Sequence, residues 1–465
     1  MYRIILLFLI SFLLFMPLDA QKDMNSILSE KYASLTAEHL PGFYLGIIKY
    51  GNPIYSKAFG MANLEHFVPF SGRTVSDLGS VGKQLTVMGI LQLKEEGKLN
   101  LDDEIHLHLS KLPALNEKVT IKHLIHHTSG IPDVYALHSL KGFRYGDHIS
   151  QSDAYRFLEA RPVVDFTPGS RYRYSNTGFM LLAEIIKEVS GRSFEAYLKE
   201  MVFSPLDMNQ TFIMDVPGEI FTYMADSYVA SSQGNYTKRY DNSTLQGGGG
   251  IYASGYDVLK WIDNFRTKKV GNEDSFQFML TNAKLSTGET IDYAGGINVD
   301  QYRGIERYHH NGSSAGARTR LVFYPKHQLG FIVKSNTPSV GYSQFTEIEN
   351  LIIDQYLNDF ASKQKSNDNP EERLINNSVT PSADVYTGKY YNEAIDLTIH
   401  ANIENGELQL SNFYYPLSSL QYQGDDKFSD NRNSAIFFKG KDDEIKGMII
   451  ETPRASGIEF LKRNE

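Results

Sequence analysis

Ser80 and Lys83 stand three positions apart in Asp77-Leu78-Gly79-Ser80-Val81-Gly82-Lys83, and the apolar run Gln84 to Leu93 follows them. If the run after Gly79 is helical, positions i and i+3 share a face, with Cβ atoms about 5–6 Å apart. A neutral lysine amine can take the serine proton, which an ammonium cannot. The free N–H groups of a helix start can hold a developing oxyanion. This chemistry asks Lys83 to fall from about 10.4 to near 7, which burial and the positive helix end together can achieve. A Ser and a Lys at this spacing also arise by chance, and the pair alone reads equally as a plain helix start.

Two later clusters complement the pair. In Tyr174-Ser175-Asn176, a tyrosine hydroxyl beside an uncharged lysine can relay protons to a leaving group, and an asparagine amide can grip a substrate amide. Taken alone, it is a turn with a capping asparagine. In His310-Asn311-Gly312-Ser313, at the start of a predicted strand, Gly312 lets a substrate lie against the strand edge. The next N–H, that of Ser313, can complete an oxyanion hole.

Three other motifs point elsewhere. Gly312-Ser313-Ser314-Ala315-Gly316 matches the nucleophile elbow G-x-S-x-G, but that elbow needs a helix after it, and here an alternating, strand-like run follows. His126 and His127 are adjacent, so they point apart on a helix; without a third ligand nearby they read as structural and not as a metal site. Gly247 to Gly250 lacks the Gly-Lys-Ser/Thr of a phosphate loop and reads as backbone packed closely against a neighbour or a substrate.

The elements that must hold these residues follow from periodicity. Asn25 to His39, Thr177 to Ser190, Asp257 to Phe265 and Glu347 to Phe360 read as helices. Phe43 to Ile48 and Ile54 to Phe59 flank a Tyr50-Gly51-Asn52-Pro53 turn, and Arg318 to Tyr324 pairs with Leu329 to Lys334 across Pro325 to Gln328. Ser362 to Pro381 is polar and proline-containing, as a linker is. Beyond it Leu397 to Ala401, Glu407 to Leu410, Ala435 to Phe438 and Gly447 to Ile450 alternate as a small antiparallel sheet or barrel.

Composition narrows the class. A chain of 465 residues favours two folded units. Its formal charge of −9 and lack of any basic run argue against nucleic acid. It has no cysteine, which removes disulfides, thiol nucleophiles and thiolate metal sites together. Met1 to Ala20, with Arg3 before the apolar Ile4 to Met16, reads as a cleavable signal segment rather than a stable membrane span.

As a set, the S-x-x-K, Y-x-N and H-x-G motifs resemble the serine β-lactamase, penicillin-binding peptidase and esterase superfamily, on its class C side. The likeness runs over Asn25 to Phe360 and is reinforced by Leu124-x-x-His127-Thr128-Ser129-Gly130, Pro168-Gly169, Gly248-Gly249-Gly250 and Ser335-Asn336. Tyr386-x-Gly388-x-Tyr390 resembles the lipocalin-like β-domain appended to many such hydrolases. The resemblance implies an α/β (α+β) fold: an antiparallel sheet flanked by helices with a helical subdomain, then a small barrel-like domain. The expected division is a signal segment 1–20, a hydrolase domain 21–361, a linker 362–381 and a β-domain 382–465.

The resemblance further implies Ser80 as nucleophile, Lys83 and Tyr174 as proton carriers, Asn176 as a substrate contact, and an oxyanion hole from the Ser80 and Ser313 amides. His310 and Gly312 complete the binding set. Neither a metal nor an organic cofactor is expected. The implied protein is a periplasmic or secreted esterase or D-alanyl-D-alanine peptidase, acting on a small molecule or a peptide, peptidoglycan-derived ones among them. A class C β-lactamase and a non-catalytic cell-wall peptide-binding protein are the alternatives. One departure matters: many relatives carry a lysine where this chain has His310, and that cation binds the substrate carboxylate. Arg318 or Arg320, which alternation places on one shared face of the same hairpin, could compensate, and otherwise esters or D-amino-acid amides gain weight over carboxylate-bearing substrates.

Overall fold

Alternating strands from the two ends of the first unit build its central layer. The structure is a computed structural model that describes residues 18–32, 37, 39–144, 146–362, 385–412 and 416–463. β1 (Phe43–Lys49) and β2 (Asn52–Phe59) form the expected hairpin, with Tyr50 and Gly51 at positive φ in the turn. β3 (Asn298–Tyr302), β4 (Ile305–Ser314), β5 (Ala317–Tyr324) and β6 (Leu329–Ser335) complete an antiparallel sheet in the order β3-β4-β5-β6-β1-β2.

The helices that cover the sheet or hold the site are α1 (Leu18–Lys31), α2 (Lys83–Glu95), α3 (Asn176–Ser190), α4 (Gly255–Thr267) and α5 (Tyr342–Tyr356). Strand period two sends Leu45, Ile47, Val322 and Phe331 to one face, where Met24 and Leu28 of α1 and Phe345, Ile348 and Ile352 of α5 bury them. Tyr44, Leu321, Phe323 and Ile332 face the other way, onto Trp261, Ile262 and Phe265 of α4. On that side α2 and α3 are buried nearly all round, as helices inside a large core are.

Several expected boundaries move. The first helix begins at Leu18 and ends at Lys31, not at His39. The closing helix starts at Tyr342, ahead of Glu347, and stops at Tyr356 before a short turn at Asn358–Phe360. Ser80 is not in the α-helix but in a 3-10 turn, Gly79–Gly82, and α2 begins at Lys83. The reason is Gly79, whose φ of +52 breaks the run out of the strand Val75–Asp77 and tightens the first turn. His310 lies late in β4 and not at a strand start. Most of Met1 to Ala20 and of the linker lies outside the described residues.

The second unit is a closed eight-stranded barrel. Its strands are β7 (Gly388–Asn392), β8 (Leu397–Glu404), β9 (Glu407–Ser411), β10 (Pro416–Gly424), β11 (Lys427–Ser429), β12 (Ser434–Lys439), β13 (Ile445–Thr452) and β14 (Ala455–Arg463). Pairing of β7 with β14 closes the ring. Tyr390, Ile399, Leu408, Leu420, Phe428, Met448 and Phe460 fill the interior, so it is a packed core. The β13–β14 turn reaches back to the first unit. There the Asp133 N–H donates to the Arg454 carbonyl at 3.0 Å, and Asp165 accepts the Ser456 N–H at 2.8 Å. Arg173 donates to the Ser456 hydroxyl at 2.5 Å while also pairing with Asp165 at 2.9 Å.

Candidate active site

Lys83 is the centre of the site because of what surrounds its amine. It is 0% exposed, and its Nζ donates to Ser80 Oγ at 3.2 Å, Asn176 Oδ1 at 2.8 Å and the Gly248 carbonyl at 2.5 Å. Burial lowers its pKa to about 7, with Asp133 and Asp77 opposing and Arg454 assisting. Ser80 is half-buried and faces a cavity of about 480 Å³.

The amine is held through a chain of buried polar groups. Asn176, at the first turn of α3, accepts from Lys83 and donates its own amide to Asp133 Oδ2 at 2.7 Å. The same carboxylate oxygen takes the Asn176 N–H at 2.7 Å, and the other oxygen caps the helix Val134–Leu140. The fully buried Asp133 therefore has its lone pairs committed. The four-glycine run closes the other side: the Gly247 carbonyl accepts from Thr86 at 2.9 Å, and a methyl group on Gly247 would strike the Phe179 carbonyl. Close backbone packing is thus what those glycines serve.

Tyr174 brings a buried hydroxyl towards Ser80. Burial raises its pKa and the nearby Ser80 hydroxyl opposes that rise, while among the described residues the Tyr174 hydroxyl makes no hydrogen bond. Its ring stands 4.1 Å from that of His127 and 4.9 Å from the Lys83 amine. His127 is fully enclosed and held well below its ordinary pKa by burial and by the Lys83 charge. Its Nδ1 accepts the Ser175 N–H at 3.1 Å, so the proton sits on Nε2, which donates to Tyr293 at 3.1 Å. His127 therefore works as a wedge that fixes Tyr174, a structural task as expected.

The two backbone amides expected to form an oxyanion hole meet where two glycines allow it. β4 runs against the Ser80 turn so closely that a methyl group on Gly79 would come 2.5 Å from Ser313 N. One on Gly312 would collide with the Leu78 carbonyl and lie 3.4 Å from Ser80 N. The backbone amides of Ser80 and Ser313 thus border one small space. His310, beside them, is lowered to about 3 by burial and the Lys83 charge, so it is neutral at ordinary pH. Its Nδ1 contacts the Asn311 carbonyl at 2.7 Å, and its buried Nε2 has no partner among the described residues.

Ser80, Lys83, Tyr174, Asn176, His310 and Ser313 all line or border the one cavity. Ser314 does not join them as a nucleophile. It ends a strand, and its hydroxyl donates to Asp241 rather than to a base. The two arginines that could compensate for a missing lysine are occupied elsewhere. Arg318 donates to the Ala315 and Ala317 carbonyls. Arg320 pairs with Glu349 and donates to Asn311 at 2.9 Å. They share a face of β5, as alternation requires, and that face turns away from the cavity. Asp133, the Gly248 carbonyl and Arg454 were not legible in the sequence. Asp133 and Arg454 reach the site from elements distant in the chain and sit in no motif, whereas the glycine run that carries Gly248 showed in the sequence only as closely packed backbone.

Among the described residues no helix is long and apolar enough to cross a membrane, and no cluster of His, Asp and Glu could hold a metal ion.

The beta-lactamase family profile matches residues 27–349, more than half of the chain. A penicillin-binding protein of Bacillus subtilis (strain 168) is 27% identical over 328 residues, covering 65% of this chain and 68% of its own length. A D-aminopeptidase of Gluconobacter oxydans is 26% identical over 302 residues and 65% of this chain, which spans 57% of that relative's length. The octameric penicillin-binding protein homologue from Pyrococcus abyssi superposes with a TM-score of 0.62 over 95% of this chain and 99% of its own, at 23% identity, a likeness of fold. With motifs, site geometry and fold in agreement, the chain belongs to the beta-lactamase family and is by type a serine hydrolase.

Proposed function

We propose that this chain is an exported serine hydrolase that forms a Ser80 acyl-enzyme from an ester, an amide or a D-amino-acid peptide, as an esterase or a D-alanyl-D-alanine peptidase does. The observation that carries the reading is the buried Lys83 amine, 3.2 Å from the Ser80 hydroxyl and held near 7. Above that pH the amine is neutral and takes the Ser80 proton as Oγ bonds to the acyl carbon. Burial keeps Tyr174 a phenol, so it relays a proton rather than acting as the base. The carbonyl oxygen takes the negative charge facing the Ser80 and Ser313 amides. The acyl–leaving-group bond then breaks, and the leaving group departs with a proton passed through Tyr174. Water attacks the ester by the reverse path and frees Ser80.

Asn176 spends one amide proton on Asp133, and the second is free to meet a substrate carbonyl. Gly312 opens the strand edge to the acyl chain, and the neutral His310 offers Nε2. The D-aminopeptidase relative supports an acyl group of D configuration. Export rests on Met1 to Ala20, and N-terminal sequencing of material from outside the cytoplasm checks it.

The test of the nucleophile uses two variants. Ser80→Ala is expected to abolish turnover and labelling by a serine-reactive fluorophosphonate, while Ser314→Ala keeps labelling. The opposite pattern, or labelling kept by both variants, would overturn the assignment, and a wild-type protein that neither turns over substrate nor takes the label would favour a non-catalytic binding protein.

A further inference from the structure

We propose that Arg454, carried by the barrel, is the cation that binds a free carboxylate on the substrate's leaving group, which makes the β-domain part of the specificity site. This rests on the Ser80 reading above and narrows its substrate class. Arg454 stands in the four-residue turn Thr452-Pro453-Arg454-Ala455 and lines the same cavity as Ser80, although the barrel begins far along the chain. Its guanidinium lies over the Tyr174 ring, 5.0 Å from the ring centre. Among the described residues it has no carboxylate partner, in contrast to Arg161, Arg173, Arg307 and Arg320, each of which pairs with a buried or half-buried acid.

The turn is placed rather than loosely draped. The Arg454 carbonyl accepts from Asp133, the residue that anchors Asn176, and Ser456 is held by Asp165, Arg161 and Arg173. A side chain so fixed at its backbone, with its charge unspent over the proton relay, suits a planar, bidentate partner. The side of the acyl bond follows from Tyr174. A group that hands a proton to the leaving atom sits next to the leaving group, so a cation stacked on that ring meets what the leaving group carries. Room for it exists, because a second cavity of about 690 Å³, between the helix Val134–Leu140 and the barrel, shares Tyr135, Ser139 and Arg454 with the first. The neutral His310 and the occupied Arg318 and Arg320 do not supply the cation. Arg144 also lines the Ser80 cavity but is exposed, whereas the Arg454 guanidinium is stacked on the Tyr174 ring.

The experiment compares acyl esters of 3-hydroxybenzoic acid with those of 3-hydroxybenzamide, which differ in the leaving-group carboxylate. A third ester carries its carboxylate on the acyl chain instead. In the full-length protein the acid is expected to be preferred. Arg454→Gln should reduce that preference in kcat/KM roughly 10–100-fold, the worth of a charge-assisted pair, and Arg454→Lys should restore part of it. A preference unchanged in Arg454→Gln, an equal fall for acid and amide, or a loss confined to the acyl-side carboxylate would each overturn the proposal. Calorimetric binding of the uncleaved acid ester to Ser80→Ala and to Ser80→Ala with Arg454→Gln gives a readout free of turnover, and equal affinities would count against it. Failure of the underlying reading looks different: turnover that persists in Ser80→Ala.

Discussion

Lys83 carries a conflict between stability and reactivity that its neighbours resolve in favour of reactivity. An amine of ordinary pKa would be charged below about 10 and useless as a base. Here burial lowers it to about 7, and the three acceptors around it keep it aimed at Ser80. The sign for activity follows directly: the amine is protonated below that value and neutral above it. Turnover should therefore rise with pH along a limb near 7, far from the range of free lysine. Since His310 and His127 are both held neutral, neither supplies that limb. Lys83→Arg should lose roughly 100–10,000-fold in kcat, the span of general-base catalysis, because a guanidinium does not deprotonate in proteins. A kcat–pH profile of both proteins checks this, and wild-type-like turnover by the arginine variant would remove Lys83 from the mechanism.

At the scale of elements, the site is an apposition of one turn and one strand. The Ser80 turn and β4 come from opposite ends of the unit and approach within van der Waals contact because Gly79 and Gly312 lack side chains. The hairpin β4–β5 keeps that position through its register, in which Gly312 lies opposite Thr319 and Ser313 opposite Arg318. Behind it, Glu349 on α5 ties Arg307 and Arg320 to the helix. Burial alone would raise the Glu349 pKa, and the two guanidinium charges outweigh that and lower it. Gly312→Ala should push β4 off the Leu78 carbonyl and separate the two oxyanion amides. The expected result is a fall in kcat of roughly 100–1,000-fold, typical of losing one such donor. Steady-state kinetics beside a circular dichroism melt measures it. A full-rate alanine variant would show that Ser313 N does not serve the reaction.

The whole molecule joins its two units through one short turn. The Asp165 carboxylate is fully buried, pairs with Arg161 and Arg173, and accepts the Ser456 N–H, so it organises the dock of the barrel. Asp165→Asn removes the charge that both arginines face, and breaking such a buried cluster costs about 3–5 kcal/mol. Hydrogen exchange at 452–456 should then quicken, and the preference for a leaving-group carboxylate should fall because Arg454 is no longer held over Tyr174. Unaltered exchange and unaltered preference together would mean that the turn is positioned by the barrel alone.

The chain by itself supplied the candidate site residues and most of the elements. Ser80, Lys83, Tyr174, Asn176 and His310 stand out only as a set of motifs that resembles a family, since each alone reads as a turn or helix start, and the strands and helices follow from periods of two and 3.6. The exclusion of Ser314 was legible too, since alternation after Gly316 forbids an elbow. What tertiary structure alone decided is everything that depends on distance across the fold. Only packing tells that the Lys83 amine is sealed from water, that Asp133 anchors Asn176, and that Arg320 is spent on Glu349. The same holds for Arg454, which is an unremarkable turn arginine in the sequence and lies beside Tyr174 only because the barrel docks there. Local pattern is fixed by side-chain type and backbone period, whereas burial, charge pairing and contact between distant segments depend on how the two units close on one another.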